Sequence, residues 1–393
     1  MTKLEELIEK LCPDGVEYKE IGSIAVLGAG GDVPKARFSA EKTVEFNIPI
    51  YSNGIEEKAI YGYTDIPKVD EPSITISARG TIGWCALRKE PFYPIVRLIY
   101  VTPNNEILID FLKYVIDTIK FKVPKTGIPQ LTIPMVSKYK IPVPPLEVQR
   151  EIVRILDNFT FLTTELAAEL AARQKQYEYY RDLLLTFKSN ESTILNERTN
   201  ERTNELELSG AIRWMKLGDI ADIGTGNGNT NEGLDTGKYP FFVRSQDIKY
   251  KNEYDFDETA IITSGDGVGV GKIFHFVSGK YALHQRAYRV HITSDNVLPK
   301  YFFYYFKNSF LTYISKASFH SSVTSIRRPM MINFPVPVPP LEVQQRIVDI
   351  LDRFDTLCND ISSGLPAEIE ARQKQYEYYR DKLLTFKELK KEA

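Results

Sequence analysis

RQKQYEYYRD occupies residues 173–182 and returns, letter for letter, at 372–381. The repeat is wider than these ten residues. IPVPPLEVQREIVRILDNF (141–159) pairs with VPVPPLEVQQRIVDILDRF (336–354), 195 residues on, and RQKQYEYYRDLLLTFK (173–188) pairs with RQKQYEYYRDKLLTFK (372–387), 199 on. The offset grows by four, so the second copy carries a four-residue insertion between its matching ends. Upstream the halves agree more weakly, EYKEIGSIA (17–25) with RWMKLGDIA (213–221) and ITISARGTIG (74–83) with IITSGDGVGVG (261–271). The chain is therefore two copies of one plan, each a variable region followed by a nearly constant segment.

The constant segments read as helices. Pro144-Pro145 and Pro339-Pro340 suit a helix start, where a missing N–H costs nothing. Apolar residues then fall at Val148, Ile152, Ile155, Phe159, Leu162, Leu166, Leu170, Tyr177, Tyr180, Leu184 and Phe187. These spacings mostly alternate four and three, as in a coiled-coil seam. A helix over 145–188 would be about 65 Å long, and its single apolar stripe needs a partner, for which its own duplicate is the natural choice. In the second copy Ser363, Gly364, Leu365 and Pro366 predict a break. The tyrosine pairs Tyr177/Tyr180 and Tyr376/Tyr379 lie three apart on one face and suit either the core of the helix pair or a docking surface.

The variable regions read as mixed α/β. ELIEKL (6–11) is a short helix ended by CPDG; IPIYS, SITIS and RLIYVTP, then YPFFVRS, AIITS and RAYRVHI, read as strands. DFLKYVIDTIK (110–120) and KYFFYYFKNSFLTYI (300–314) read as amphipathic helices in equivalent places. NERTNERTNELELS (196–209) is a polar tandem repeat, a charged linker or helix extension.

With 43% apolar and 12% aromatic residues the 393-residue chain is globular. No apolar run is long enough to span a bilayer, and the acidic, amphipathic start is unlike a secretory signal. Cys12, Cys85 and Cys358 are far apart and odd in number, which points to a reducing cytoplasm and away from disulfides or a zinc site. The net charge of −2 hides an uneven distribution. Residues 267–335 carry Lys272, Lys280, Arg286, Arg289, Lys300, Lys307, Lys316, Arg327 and Arg328 against one acid, Asp295. Residues 78–140 carry ten basic residues against four acids. Two cationic regions at matching places in a repeat are the footprint of two surfaces that face phosphates.

Three stretches invite an enzymatic reading and fail on context. Gly224-x-Gly226-x-Gly228 lacks the following helix that a phosphate-binding loop requires. SGDGVGVGKI (264–273) has Asp266 in place of the first phosphate-loop glycine and Ile273 in place of Ser or Thr. VPPLEV lacks the Asn or Asp of the amino-methyltransferase N-P-P-Y signature. His275, His284, His291 and His320 show no metal-type spacing, and the first half has no histidine. No catalytic residue and no metal site is assigned.

The double P-x-P-P-L-E-x-Q entry and the double R-Q-K-Q-Y-E-Y-Y-R-D helix, with the turns SARGTIG (77–83) and SGDGVGVG (264–271) and the strand LHQRAYRV (283–290), resemble the DNA specificity subunits of type I restriction–modification systems over essentially the whole length. In the first half that strand reads YPIVRLIYV, without the glutamine. The resemblance implies an α+β chain: two mixed α/β target recognition domains joined by two long antiparallel helices forming a coiled coil, with an internal pseudo-two-fold repeat. The boundaries expected are 1–140 for the first domain, 141–195 for the first spacer helix, 196–211 for the linker, 212–335 for the second domain and 336–393 for the second spacer helix.

Membership would make the chain a non-catalytic, cytoplasmic subunit that reads a bipartite, asymmetric double-stranded DNA target. It would dock two methyltransferase subunits, together with restriction subunits, and would touch no membrane. It would bind no cofactor itself; S-adenosylmethionine, ATP and magnesium would belong to the partners. Arg79, Lys122, Lys125, Lys272, Lys280, Arg327 and Arg328 are candidates for phosphate contacts. Gln130, Gln246, Gln285, Arg286, His320 and Ser321 are candidates for base edges. Arg173, Lys175, Glu178, Arg181 and Asp182, with their duplicates Arg372, Lys374, Glu377, Arg380 and Asp381, are candidates for partner docking. The alternative is a coiled-coil scaffold for two proteins without nucleic acid, which leaves the cationic regions unexplained.

ELAAELAA (165–172) repeats a four-residue unit. Inserting one further ELAA would lengthen the rod by about 6 Å. The methylated target should then gain spacer length with both half-sites unchanged, as read by sequencing the methylated sites.

Overall fold

A computed structural model describes residues 2–123, 129–187, 212–317, 325–360 and 362–389. By density of contacts the chain divides into two units, residues 1–167 with 368–393, and residues 168–367. Neither unit is simply a half of the sequence: each holds one variable region and helical segments from both constant copies. The linker expected at 196–211 lies outside the described residues.

The first unit opens with α1 (Lys3–Leu11). A reciprocal capping box starts it: the Thr2 hydroxyl accepts from the Glu5 N–H, and the Glu5 carboxylate accepts from the Thr2 N–H. The remaining elements are β1 (Glu17–Glu20), α2 (Ile21–Ile24), β2 (Ala25–Ala29), β3 (Ile48–Tyr51), β4 (Ile60–Thr64), β5 (Ser73–Ser77), β6 (Cys85–Arg88), β7 (Tyr93–Pro94), β8 (Leu98–Pro103), α3 (Ile109–Thr118), α4 (Ile133–Ser137), β9 (Lys140–Val143) and the start of α5 (Leu146–Leu185). The sheets run β2-β8-β5-β6, β4-β3-β7 and β1-β9.

The second unit repeats the order: β10 (Arg213–Lys216), α6 (Leu217–Ile220), β11 (Ala221–Thr225), β12 (Tyr239–Phe242), β13 (Lys249–Lys251), β14 (Phe256–Ser264), β15 (Phe274–Leu283), β16 (Ala287–Ile292), α7 (Pro299–Ala317), α8 (Arg328–Ile332), β17 (Pro335–Val338) and α9 (Leu341–Asn359); α10 (Leu365–Leu383), which comes next in the chain, belongs to the first unit from Glu368 on. Its sheets are β11-β16-β14-β15-β12-β13 and β10-β17. The weak sequence match at the start of each half has a steric cause. A Cβ on Gly22 would lie 2.0 Å from the Ser137 hydroxyl of α4, and one on Gly218 would lie 2.7 Å from the Ile332 side chain of α8. Only glycine allows these one-turn helices to approach so closely.

α5 is continuous over 40 residues, about 60 Å. It starts one residue after the proline pair and not on it. In the second copy Pro340 is the N-cap, with φ −52° and an extended ψ of 147°, a conformation its ring favours. The end also falls short of residue 188. At that end the Thr186 hydroxyl bonds back to the Asp182 carbonyl, as Thr385 does to Asp381. The expected break in the second copy is present between α9 and α10. There the Asp360 carboxylate accepts from the Ser362 N–H and from the hydroxyls of Ser362 and Ser363.

The helices pack across the duplication within each unit. In the first, Val148, Ile152 and Leu156 of α5 share a core with Tyr376, Leu383, Leu384 and Phe386 from the end of the chain. Phe159 stacks on Tyr379 at 5.5 Å, with Tyr376 beside it. In the second, Tyr177, Leu184, Leu185 and Phe187 join Ile347, Val348 and Leu351 of α9, and Phe354 stacks on Tyr180 at 5.7 Å. The paired tyrosines are therefore core. The predicted seam is corrected at one point: Leu162 is exposed and Leu156 buried. The first turns of α5 face a whole domain core, which selects the i, i+4 row Val148–Ile152–Leu156 over a narrow seam.

The Gln that recurs in both helix entries is completely buried. Gln149 Oε1 accepts from the Leu108 N–H at 2.8 Å, and its Nε2 donates to the carbonyls of Glu106 (3.0 Å) and Pro144 (2.7 Å). Gln344 repeats the set with Leu298, Asn296 and Pro339. Each amide ties the turn before a head helix (α3 or α7) to the start of a spacer helix. Gln149→Ala or Gln344→Ala leaves three backbone groups unpaired. Each change should lower unfolding free energy by roughly 3 kcal/mol, measured by urea denaturation; a loss under about 1 kcal/mol would refute the clamp.

Candidate nucleic-acid interface

In each variable region the backbone builds one corner from three segments, and the hydrogen bonds register the two corners residue by residue. His284 N–H donates to the Phe242 carbonyl (3.0 Å), as Ile95 N–H does to Tyr51 (2.9 Å). Gly265 N–H donates to Arg286 (2.9 Å), as Ala78 N–H does to Arg97 (3.1 Å). Ile326 N–H donates to Gly265 (2.8 Å), as Leu131 N–H does to Ala78 (2.9 Å). Arg244, Asp266, Gln285 and Arg286 of the second unit thus correspond to Asn53, Arg79, Val96 and Arg97 of the first.

The second corner is polar and ordered. Asp266 accepts from Arg244 at one carboxylate oxygen (2.8 Å) and from Arg286 at the other (3.0 Å). Burial opposes its ionisation, but the two guanidiniums hold the Asp266 carboxyl below its ordinary range. Gln285 Nε2 donates to Asn229 Oδ1 (2.6 Å), Asn229 N–H donates to Glu232 (2.8 Å), and Lys251 donates to the other Glu232 oxygen (2.7 Å). Buried His284 accepts the Arg286 N–H at Nδ1 (3.0 Å). Burial first and Arg244 next push its pKa down, which keeps that nitrogen an acceptor. Beside these the turn after β14 projects: Gly267 has φ +80° with open space around it, and Val268 is 96% exposed.

The glycine loop at 224–228 is packing. A Cβ on Gly226 would sit 1.9 Å from the Leu283 carbonyl, and one on Gly228 would sit 2.9 Å from the Phe241 ring. The loop lies against β15 and the corner, as the missing helix implied.

The first corner carries different chemistry on the same frame. Asn53 accepts from the Ala78 N–H (3.0 Å) and donates to the Val96 carbonyl (3.2 Å). Val96 is 44% exposed, and Arg97, also exposed, adopts φ +69°. Arg79 is half-buried, with its Nε unpaired.

The structure gathers some sequence-derived candidates and disperses others. Gln285, Arg286 and Lys272 share the second corner or its turn. Arg327 follows Ile326, and Gln246 lies two residues beyond Arg244; both are exposed. Arg328 is the exposed first residue of α8. Lys280 lies elsewhere, opposite Asp257 in the β14–β15 ladder, with its ammonium 4.6 Å from the centre of the Tyr254 ring. In the first unit Gln130 precedes Leu131 at the corner. Exposed Lys122 donates its backbone N–H to the Tyr139 hydroxyl, and Phe121 packs 3.1 Å from where a Gly83 Cβ would be. Lys125, His320 and Ser321 lie outside the described residues. Part of the cationic excess is structural: Arg289 is 12% exposed and bridges Glu258 (2.9 Å) and Asp222, and Lys300 pairs with Asp352. Sequence reading missed Arg244, Asp266 and Asn229, which meet Gln285 and Arg286 only through the fold.

The docking candidates divide by helix face. Lys175, Glu178 and Asp182, like Lys374, Glu377 and Asp381, are exposed, and Tyr179 and Tyr378 join them in the i, i+3, i+4, i+7 row. The arginines are half-buried and engaged along their own helices, Arg173 with Glu169, Arg181 with Asp182, Arg372 with Glu368 and Arg380 with Asp381. Among the described residues no group of three or more His, Cys, Asp or Glu could hold a metal ion. Among them also, no helix is long and apolar enough to cross a membrane.

Two mixed α/β variable regions share one backbone corner, and each is joined to helices of the duplicated segments. The family model of the type I restriction modification DNA specificity domain matches residues 13–173 and again residues 212–371, and the chain belongs to that family. It is 33% identical over 321 residues to the specificity subunit of the type I restriction enzyme EcoR124I/EcoR124II of Escherichia coli, covering 74% of each chain. A putative type I restriction enzyme specificity subunit of Haemophilus influenzae is 31% identical over 98% of both. The fold is similar to the crystal structure of a type I restriction–modification S subunit from M. genitalium, with a TM-score of 0.60 at 16% identity over 98% of this chain and 99% of that one. It is also similar to an HsdS subunit from Thermoanaerobacter tengcongensis, with a TM-score of 0.52 at 17% identity over 95% and 97%.

The Lys251 ammonium, followed by the Asn229 N–H groups, holds the Glu232 carboxyl at about 2. Because this pKa is depressed, the contact is complete above the ordinary carboxylate range and is lost only as pH falls toward 2. NMR titration should show the Asn229 amide unmoved from neutral pH to about 4, and Lys251→Met should raise the Glu232 midpoint.

Proposed function

We propose that this chain is the DNA-reading, non-catalytic subunit of a type I restriction–modification enzyme. Each head contacts one half-site of a bipartite, asymmetric duplex target. The observation that carries this is a contrast: the two corners share one backbone frame but differ at three of their four matched positions, only Arg286 and Arg97 being alike, while the exposed stripes of the two spacer helices are identical. Different corners suit two different half-sites. Identical stripes suit two copies of one partner.

The spacer helices act as an antiparallel coiled coil about an approximate two-fold axis, and their length sets the gap between half-sites. The packing of α5 on α10 in one unit and on α9 in the other supports this. Lys272, Arg327, Arg328, Lys122 and Arg79 supply phosphate contacts, which fix register and weaken with salt; Gln285, Arg286, Gln246 and Gln130 face base edges. Two methyltransferase subunits dock on the stripes, restriction subunits join them, and S-adenosylmethionine, ATP and magnesium are held by those partners.

Mapping N6-methyladenine in a host that carries this chain with its methyltransferase partner should return a two-part asymmetric sequence. Lys175→Glu combined with Lys374→Glu, on exposed positions of the stripes, should abolish that methylation while the purified chain still retains duplex DNA. Normal methylation in the double variant would remove the stripes from the docking role.

A further inference from the structure

The second corner contains an acid where a surface meant for phosphates should avoid one. Asp266 is not placed by a free loop. Its flanking Gly265 is bonded on one side to Arg286 and on the other to Ile326, and Asp266 itself bridges to Ser325. Each carboxylate oxygen takes one N–H from a different guanidinium, and those arginines come from different segments, the bend after β12 and the loop before β16. Arg286 remains 62% exposed and Arg244 39%, so both keep donors directed to solvent. The adjacent Gln285 is held through Asn229, Glu232 and Lys251. Two neighbouring residues thus project outward, each fixed from behind.

Building on the DNA-reading role, we propose that Asp266 is a positioning residue. It sets the guanidiniums of Arg244 and Arg286 as a fork for the acceptor edge of one guanine in the half-site read by the second head. Arginine meets guanine O6 and N7 through two parallel N–H donors, a geometry that a flexible side chain attains only at an entropic cost. A carboxylate that orders two such side chains lowers that cost, which offsets its repulsion from nearby phosphates. The first head has Arg79 at this place, Asn53 for Arg244 and Val96 for Gln285. With no carboxylate to order Arg97, and with an apolar group in the glutamine's position, it reads a different edge; an exposed valine suits the methyl group of thymine.

The test is selection of bound sequences from randomised duplexes by the full-length chain, compared with Asp266→Asn and Arg286→Lys. Asn keeps the shape of Asp and removes one negative charge; Lys keeps the charge of Arg and loses the fork. Both variants should lose roughly tenfold preference for guanine at the same single position of one half-site, leaving the other half-site intact. Asp266→Asn should bind non-target duplex as tightly as the parent or more tightly. A merely structural Asp266 predicts instead a lowered melting temperature and weaker binding to every duplex, and that outcome overturns the proposal. Unchanged guanine preference in both variants overturns it too, while leaving the DNA-reading role standing. If the parent chain selects no two-part sequence, that role itself fails.

Discussion

One amide group in each half determines how a head meets its helix. Gln149 and Gln344 have no access to water, and each satisfies one N–H and two carbonyls that would otherwise be buried without partners. The partners belong to the turn before a head helix and to the proline pair before a spacer helix. A buried polar set of this kind tolerates only one geometry, since a shift of one residue leaves several groups unpaired. The turn before each head helix is therefore tied to its long helix by the same three bonds in both halves, whatever the head's surface carries.

That constraint separates the parts that vary from the parts that do not. Below the corner the two heads are held alike: the glycine contacts of α2 and α6, the backbone bonds that register Ala78 with Gly265, and the glutamine clamps. Above it Asn53, Arg79, Val96 and Arg97 stand where Arg244, Asp266, Gln285 and Arg286 stand. Side chains at the end of a fixed backbone frame can change without disturbing a core. The spacer helices show the reverse. Their inward rows must fit Phe159 or Phe354 and the head cores, and their outward row, Lys175–Glu178–Tyr179–Asp182 and its copy, is unaltered although packing places no demand on it.

Much of the architecture was legible because its signals are local. The repeat, the helix entry at the proline pair, the break near Gly364 and most of the strands follow from identity, periodicity and turn residues. The candidate interface was legible only as a region. Charge excess pointed to stretches that hold the two corners, yet Arg289 and Lys300 are bound to acids that arrive from other elements, Glu258, Asp222 and Asp352. Gln285 and Arg286 stood out within LHQRAYRV, read as one strand, but the structure puts them in the turn between β15 and β16. Their supports Arg244, Asp266 and Asn229 come from three other segments, and no spacing in the sequence links them.

By itself the sequence determined that the protein is an internal duplication, with variable α/β heads and constant amphipathic helices that need a partner. Identity and hydrophobic period are properties of the chain read in order. Only the tertiary structure decided that each unit is completed by helical residues from both copies, that the paired tyrosines are core while Tyr179 and Tyr378 face outward, and that an aspartate holds two arginines at one corner. Those outcomes depend on which distant segments share a hydrogen-bond register, and the free energy of that register resides in contacts between residues far apart along the chain.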